Sequence, residues 1–451
     1  MWSVIPSMEW LLQDLSVIFT DPSFQTQCQV LLGWLMCLGR HTEFRVFETI
    51  VADQPICRTR RHPFDRFYNF FQRSAWDIVE LSRELAIQVV VQLQVAGPLK
   101  LVVDDTLLHK SGKHVFGLGW FHDAVASTKK RAVTAPGNNW VVLGLAVSVP
   151  FTDGLFCLPI HAKLRQAGKD HPGPAELALE MLRDVVSWFP DRQFILIADG
   201  GYSAGKLLKQ LPPQVTYVGL MRGDAALRSP ALMPRPKSKS GPHPKQGPRI
   251  PSPRAMVTQA DRKGSHLHSP WKQVTVKAYG ETRRFQVLSF QAVWPKVFGP
   301  RPILVVISRA LDEGYDDVYL YTTDLTAKPE WVITTYCQRT SIEGVFKDSK
   351  QVMQIQKPQH WSQSSIEKLA PWVWLMQTLV TLWYLCEGHK LPEAKKARKN
   401  LGEWDNEWSL RHMCRIFRRV TIRHTINAMS ATKRDLLVLA DKLDNYLFLA
   451  G

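Results

Sequence analysis

The segment WVITTYCQRTSIEGVFKDSKQV places the carboxylate of Glu343 among groups that bind phosphate. Tyr336, Arg339, Glu343 and Lys350 lie at offsets of three, seven and fourteen residues from the tyrosine. An α-helix turns by about 100° per residue, so these side chains fall within an arc of roughly 60° on one helix face, with Lys347 beside them. The pattern predicts an amphipathic helix that presents one acid next to a phenol and three cations.

Such a helix can also be an ordinary exposed one, because Glu paired with Arg or Lys four residues away contributes only about 0.2–0.5 kcal/mol per pair. A chemical role requires further carboxylates. The strand-like segment PLKLVVDDT ends in Asp104 and Asp105, and QFILIADGGY places Asp199 after another apolar run. Each aspartate alone could be a turn former or helix cap. Together with Glu343 they favour a site.

The elements between residues 98 and 223 follow the order strand, strand, strand, helix, strand, helix, strand. This order predicts an α/β RNase H-like catalytic domain with a mixed five-stranded sheet. The first and fourth strands of such a sheet are neighbours, so Asp105 and Asp199 should meet at one edge. The helix that carries Glu343 should pack there.

Three converging carboxylates repel one another unless cations lie between them. Oxygen-only ligands prefer hard cations, so the sequence predicts Mg²⁺, with Mn²⁺ as the alternative. Two ions about 3.5–4 Å apart would activate an attacking oxygen and stabilise a leaving one. We expect Asp105, Asp199 and Glu343 to be both catalytic residues and metal ligands.

The chain divides into five predicted regions. They are a helical N-terminal DNA-binding domain at 1–95, the first part of the RNase H-like domain at 96–223, a β-rich insertion at 224–330, the second part of the catalytic domain at 331–389, and a helical basic region at 390–451. A plain helical bundle would fit the N-terminal pattern as well as a helix-turn-helix-like DNA reader does. Within the insertion, the basic Pro/Ser-rich loop 229–270 either contacts DNA or is a solvated spacer.

The overall charge indicates a polyanionic partner, because 57 Lys and Arg against 40 Asp and Glu leave +17. Nucleic acid is favoured over an anionic membrane, since no short basic amphipathic helix stands out. Seven scattered cysteines predict neither a disulfide framework nor a zinc site. The N-terminus shows no secretory signal. The apolar segment LAPWVWLMQTLVTLWYLC is predicted to be a buried core helix rather than a membrane span.

The spacing of Tyr336, Arg339, Glu343 and Lys350 resembles the YREK signature of a branch of DDE insertion-sequence transposases. VVDDT and ILIADGGY look like the first and second Asp motifs of the same branch, and the resemblance spans about residues 98 to 355. It implies cut-and-paste DNA transposition by a triad of Asp105, Asp199 and Glu343. Asp104 competes for the first position, and Asp105 is preferred because it directly precedes Thr.

The resemblance further implies that Tyr336, Arg339 and Lys350 hold phosphates of the transposon ends, and Lys347 joins them as a DNA-binding residue. It implies release of each end through a DNA hairpin, with a tryptophan of the insertion flipping a base. Trp271 and Trp294 are the candidates, and a buried core position is the alternative for each.

The expected partners are double-stranded DNA at terminal inverted repeats and at the target, with a homodimer on paired ends. The expected location is the bacterial cytoplasm, in association with the nucleoid. Two other functions remain open: an RNase H-like nuclease or resolvase without strand transfer, and a domesticated DNA-binding protein without catalysis.

Overall fold

A computed structural model gives the fold. The structure describes residues 4–51, 64–128, 130–230, 246–262, 271–278, 281–311, 316–399 and 406–428. The loop cations Arg235, Lys237, Lys239, Lys245 and Lys263 lie outside these ranges, and so do Arg58, Arg60 and Arg61 of the predicted DNA reader.

Ten described strands form one mixed sheet. They are β1 (Leu99–His109), β2 (Gly119–His122), β3 (Thr134–Ser148), β4 (Leu155–Arg165), β5 (Phe194–Ala198), β6 (Val215–Leu220), β7 (Lys272–Ala278), β8 (Glu281–Val293), β9 (Pro302–Ala310) and β10 (Val318–Thr322). Their order is β2-β3-β1-β5-β6-β10-β9-β8-β7, and β4 also pairs with β3.

At the centre of the sheet, the strands that precede or carry the predicted aspartates are neighbours. β1 runs antiparallel to β3 and parallel to β5, which in turn runs parallel to β6. The segment 102–106 was expected to end the first strand, but β1 continues to His109. Leu107 and Leu108 are buried, so extending the ladder with β3 removes more apolar surface from water.

The strands of the predicted insertion continue the same sheet. β10 pairs antiparallel with β6, and β9, β8 and β7 follow in antiparallel order. Hydrogen bonding therefore runs without interruption from β1 to β7, and the division between the predicted domains is not visible as a break in the sheet.

Helices cover both faces of the sheet. They are α1 (Pro6–Leu15), α2 (Asp21–Met36), α3 (Glu43–Val51), α4 (Phe64–Gln72), α5 (Ile78–Gln92), α6 (Pro174–Trp188), α7 (Gly205–Leu208), α8 (Pro253–Ala260), α9 (Pro295–Phe298), α10 (Pro329–Cys337), α11 (Ser341–Gln351), α12 (Gln363–Cys386), α13 (Pro392–Arg398) and α14 (Leu410–Ala428). Trp140 of β3 contacts Trp374 of α12, whereas His161, paired with Leu143, bonds Asp184 of α6. Positions 140 and 143 point to opposite faces of a strand, so α6 and α12 lie on opposite sides of the sheet.

The long helix α12 is the core of one side. Among the described residues it is the one helix long and apolar enough to cross a membrane, and 94% of its most apolar window is buried within the protein. Trp372, Trp374 and Trp383 are fully buried along it, and Thr378 Oγ1 donates to the carbonyl of Pro159 at 2.6 Å. The prediction of a buried core helix is confirmed.

The helical N-terminal region buries a histidine whose protonation should control stability. His41 is 3% exposed, and its Nε2 lies 2.9 Å from the carbonyl oxygen of Trp34. Burial lowers the pKa of His41 to about 4. The unfolded chain, with a pKa near 6.5, therefore binds a proton before the folded protein does, and stability should fall as the pH decreases from about 6.5 to 4.

We expect His41→Gln to flatten this dependence, because glutamine can donate to the Trp34 carbonyl but does not titrate. The lowered pKa of His41 corresponds to a loss of about 3 kcal/mol at most in the free energy of unfolding. Denaturant unfolding at pH 6.5 and pH 4.5 measures it. Equal losses of unfolding free energy in wild type and variant would show that other groups carry the acid sensitivity.

Candidate active site

Two adjacent aspartates lie in the middle of β1 and point in different directions. Asp104 Oδ2 accepts a hydrogen bond from Arg339 at 2.9 Å. Asp105 Oδ2 accepts from the amide of Asn139 on β3 at 3.1 Å, and its Oδ1 lies 3.4 Å from the hydroxyl of Tyr202. Successive strand residues face opposite sides of a sheet, which is why neighbouring carboxylates have separate partners.

Asp199 follows β5 directly, as the sequence predicted. The parallel ladder between β1 and β5 ends with Val103 opposite Ala198, so Asp104 and Asp199 are the next residues on the two strands. Asp199 also caps the short 3₁₀ turn Gly200–Tyr202, since its Oδ1 accepts from the Gly201 N–H at 2.7 Å. Asp199 therefore caps this turn and also lies close to the other carboxylates.

The predicted single helix is two helices joined by the 3₁₀ turn Gln338–Thr340. Thr340 Oγ1 donates to the Cys337 carbonyl at 3.0 Å, and Ser341 Oγ donates to the Gln338 carbonyl at 2.7 Å. These hydroxyls compete for carbonyls that a regular helix would use, which favours the tighter turn. Arg339 lies within that turn.

Arg339 joins β1 to α11. Besides its bond to Asp104, its guanidinium donates to Glu343 Oε1 at 2.6 Å. The side chains of Arg339 and Asp104 are 19% and 17% exposed, whereas that of Glu343 is 56% exposed. The structure thus places Glu343 at the open end of an ionic bridge that leads to Asp104 rather than to Asp105.

Several charged side chains lie close to Asp104. Burial raises the pKa of Asp104 to about 7; the Arg339 guanidinium opposes this shift, and the carboxylates of Asp199 and Asp105 add to it. Burial also raises the pKa of Tyr336, whose hydroxyl is near Arg339 and Asp199. The predicted phenol therefore stays protonated as a hydrogen-bond donor at neutral pH.

The carboxylates open into a cleft of about 770 Å³, with lysines along one wall. Lys347 and Lys350 of α11 line it together with Asp104, Asp105 and Asp199, and Glu343 and Arg339 do so as well. Burial lowers the pKa of Lys350, and Asp123 counteracts this effect. Of the predicted site residues, all but Tyr336 line this cleft, and Tyr336 is close to two of those that do, Arg339 and Asp199.

The donor set fits a hard divalent cation in its chemistry. Asp104, Asp105, Asp199 and Glu343 all line the cleft and offer only oxygen ligands. Within the described part of the chain, however, no three acidic, histidine or cysteine side chains are grouped closely enough to hold a metal ion. In this arrangement Arg339 provides the positive charge between Asp104 and Glu343.

The two candidate tryptophans are both engaged within the protein. Trp294 is 8% exposed and packs edge-on against Tyr321. Trp271 donates to Asp261 at 3.2 Å, and Arg309 lies over its ring at 4.7 Å. Trp294 is thus a buried core residue, as the alternative prediction had it. Neither tryptophan ring is presented freely to a ligand.

Sequence reasoning missed the polar residues that surround the carboxylates. Asn139 and Tyr202 contact Asp105, while His122 and Arg165 line the cleft. The pattern NNW at the start of an apolar strand was the available signal for Asn139, since a buried asparagine requires partners. No local signal identified the others.

Comparison with known proteins finds one family. Residues 17–284 match the family described as DDE superfamily endonuclease, a span that covers more than half of the chain and includes Asp104, Asp105 and Asp199 but not Glu343. No curated protein matches the chain.

Among solved structures, the cryo-EM structure of a piggyBac transposase synaptic complex with hairpin DNA is similar at 11% identity and a TM-score of 0.42. That match covers 97% of this chain and 81% of the other. A likeness of this degree assigns neither activity nor substrate to the present chain.

Proposed function

Because the chain belongs to the DDE superfamily endonuclease family, we propose that it is a DNA transposase that excises an insertion sequence and joins it to target DNA. The observation that carries the proposal is the cleft in which Asp104, Asp105, Asp199 and Glu343 lie with Arg339 and two lysines. Acids that can hold divalent cations next to cations that can hold phosphates suit phosphodiester cleavage and transfer.

In this proposal Asp105, Asp199 and Glu343 hold Mg²⁺ or Mn²⁺, with Asp104 as the alternative on β1. The contact between Asp104 and Arg339 supports that alternative, and the adjacency of Asp105 to Thr106 supports the original assignment. Two bound ions would supply Lewis-acid stabilisation of the attacking and leaving oxygens.

The chain's own cations position the DNA. Arg339, whose fork already holds two carboxylates, can hold a phosphate oxygen with the same donors. Lys347 is exposed on α11, and Lys350 is half-buried one turn further along, so both can approach the strand that enters the cleft. Tyr336, whose hydroxyl lies close to Arg339, would donate to a phosphate oxygen beside it.

The wider proposal includes DNA ends as substrates, a homodimer on paired ends, hairpin intermediates and a location with the bacterial nucleoid. The net charge of +17 supports a DNA partner. Trp271 and Trp294 would have to leave their present contacts to stack on a base.

A strand-transfer assay tests the function. Linear DNA that carries the element's own ends is incubated with a supercoiled target and Mg²⁺. A transposase yields joined products, whereas an RNase H-like nuclease or resolvase yields cut ends without joining, and a non-catalytic DNA-binding protein yields neither.

A further inference from the structure

The C-terminal helix α14 carries a line of arginines on its exposed side. Arg411, Arg415, Arg419 and Arg423 recur at intervals of four residues, and all four are exposed. A four-residue step advances about 6 Å along a helix, so this arginine stripe extends for roughly 18 Å. The helix LRHMCRIFRRVTIRHTINA contains no acidic residue.

The other side of α14 explains why the helix is held in place without these arginines. It packs against α12 and α2, and its buried residues include Met413, Cys414, Ile416 and Phe417. Arg418, which is not part of the stripe, turns inward and donates to the Leu35 carbonyl at 2.6 Å. Arg418 thus ties α14 to the end of α2 independently of the stripe.

The stripe itself does not stabilise the helix. Like charges four residues apart destabilise a helix by a few tenths of a kcal/mol per pair, and a cation in the first turn, such as Arg411, opposes the helix dipole. Arg423 pairs with Glu393 of α13, but the ion pairs among the described residues include none of the other three. Arg411 has an acidic neighbour in Asp348, which is half-buried.

That neighbour places the stripe next to the cleft. Asp348 lies on α11, the helix that carries Glu343 and Lys347. A second cavity of about 600 Å³ is lined by both helices, with Lys347 on one side and Ser409 and Met413 on the other. Arg411, the first residue of the stripe, is therefore close to α11, the helix that carries Glu343.

We propose that the arginine stripe binds the phosphate backbone of the DNA duplex that extends from the cleft. This inference rests on the proposed function for the presence of DNA and adds the surface that holds the flanking duplex. With one nucleotide per 3.4 Å of duplex axis in each strand, 18 Å corresponds to about five base pairs. Guanidinium groups suit phosphate oxygens, and such contacts position a duplex without reading its sequence.

An anionic membrane is the less suitable partner. A helix that binds a membrane surface inserts its apolar face among the lipids. The apolar face of α14 is largely buried against the protein, and its exposed side chains are mainly the arginines, with Ile426 exposed near the end of the helix. A partner held by charge alone, in a line, matches a nucleic-acid backbone better.

The test is the variant Arg411→Gln, Arg415→Gln and Arg419→Gln, measured with a fluorescein-labelled duplex of about three helical turns at several KCl concentrations. We expect Kd to increase at least about tenfold, and the slope of log affinity against log salt to become shallower by about 2 to 3, because three phosphate contacts are lost. The Tm should stay the same or increase. A variant with three lysines at these positions should retain most of the affinity.

The matched control removes three exposed cations from the opposite side of the sheet: Arg183→Gln on α6, Lys206→Gln on α7 and Lys209→Gln directly after α7. Equal losses in the two triple variants, or tighter binding of wild type to phosphatidylserine vesicles than to DNA with the same dependence on the stripe, would overturn the inference. If wild type bound no DNA, the proposed function itself would fail. If DNA bound normally to the stripe variant, only the stripe assignment would fail.

Discussion

Replacing Asp105, Asp199 or Glu343 by alanine should reduce DNA cleavage and joining by about three orders of magnitude or more, while DNA binding stays within about twofold. Each change removes an oxygen ligand of the proposed ions, and groups that act as one catalytic unit lose most of the rate when any member is removed. Affinity depends on phosphate contacts made by other residues. Single-turnover cleavage of labelled element ends, with binding measured in Ca²⁺, separates the two effects.

The same experiment decides between the aspartates of β1. Asp104 contacts Arg339 and follows the residue paired with β5, whereas Asp105 contacts Asn139 and Tyr202. If Asp104→Ala abolishes cleavage and Asp105→Ala does not, Asp104 is the first member of the triad. The control is Asp191→Ala, at an exposed position between α6 and β5, which should leave the rate unchanged. Full activity in all of the site variants would rule out this cleft as the catalytic centre.

The second large effect is expected at Arg339. Arg339→Ala should lower the cleavage rate by about 10²- to 10³-fold, since it removes a preorganised cation from the site where phosphate charge develops. Arg339→Lys should recover only part of the rate, because an ammonium cannot reproduce a fork that bonds two groups at once. The loss should also destabilise the metal-free protein by about 2 kcal/mol, as Asp104 loses its ionic partner in a half-buried position.

Arg309 offers a matched control for Arg339. It too bonds two aspartates: its Nε lies 2.7 Å from Asp317 and its Nη1 lies 3.1 Å from Asp261. It belongs to β9, and it does not line the cleft. Arg309→Ala should therefore reduce stability without a comparable loss of rate per folded molecule. An equal loss of rate in the two variants would indicate that Arg339 acts only through folding.

The parts of the fold that the sequence predicts are those with local signals. Alternation and apolar runs locate β1, β3, β4, β5 and β6, and the apolar length of α12 identifies a core helix. Asp199 is found at its predicted place because β5 is a short buried run that ends directly before it. Helical spacing likewise brings Arg339 and Glu343 together across one turn.

The parts that were not predicted depend on contacts between distant residues. No feature of VVDDT determines which aspartate faces α11, because that depends on the register and facing of β1 in the folded sheet. The continuation of the sheet into β10 depends on a pairing between residues about a hundred positions apart. The 3₁₀ turn at Arg339 results from hydroxyl bonds that compete with a helix, which spacing rules do not consider.

The pairing of β10 with β6 has a consequence for how the protein can be divided. β10 leads within a few residues to α10, and α10 packs against both β7 and β10. The helix that directly precedes the one carrying Glu343 thus packs on strands that the sequence analysis assigned to an insertion. Excising that segment as a module would leave the edge of β6 unpaired and α10 without its support. The segment is consequently part of the core sheet of the protein. We expect it to unfold together with the carboxylate site in a single cooperative transition.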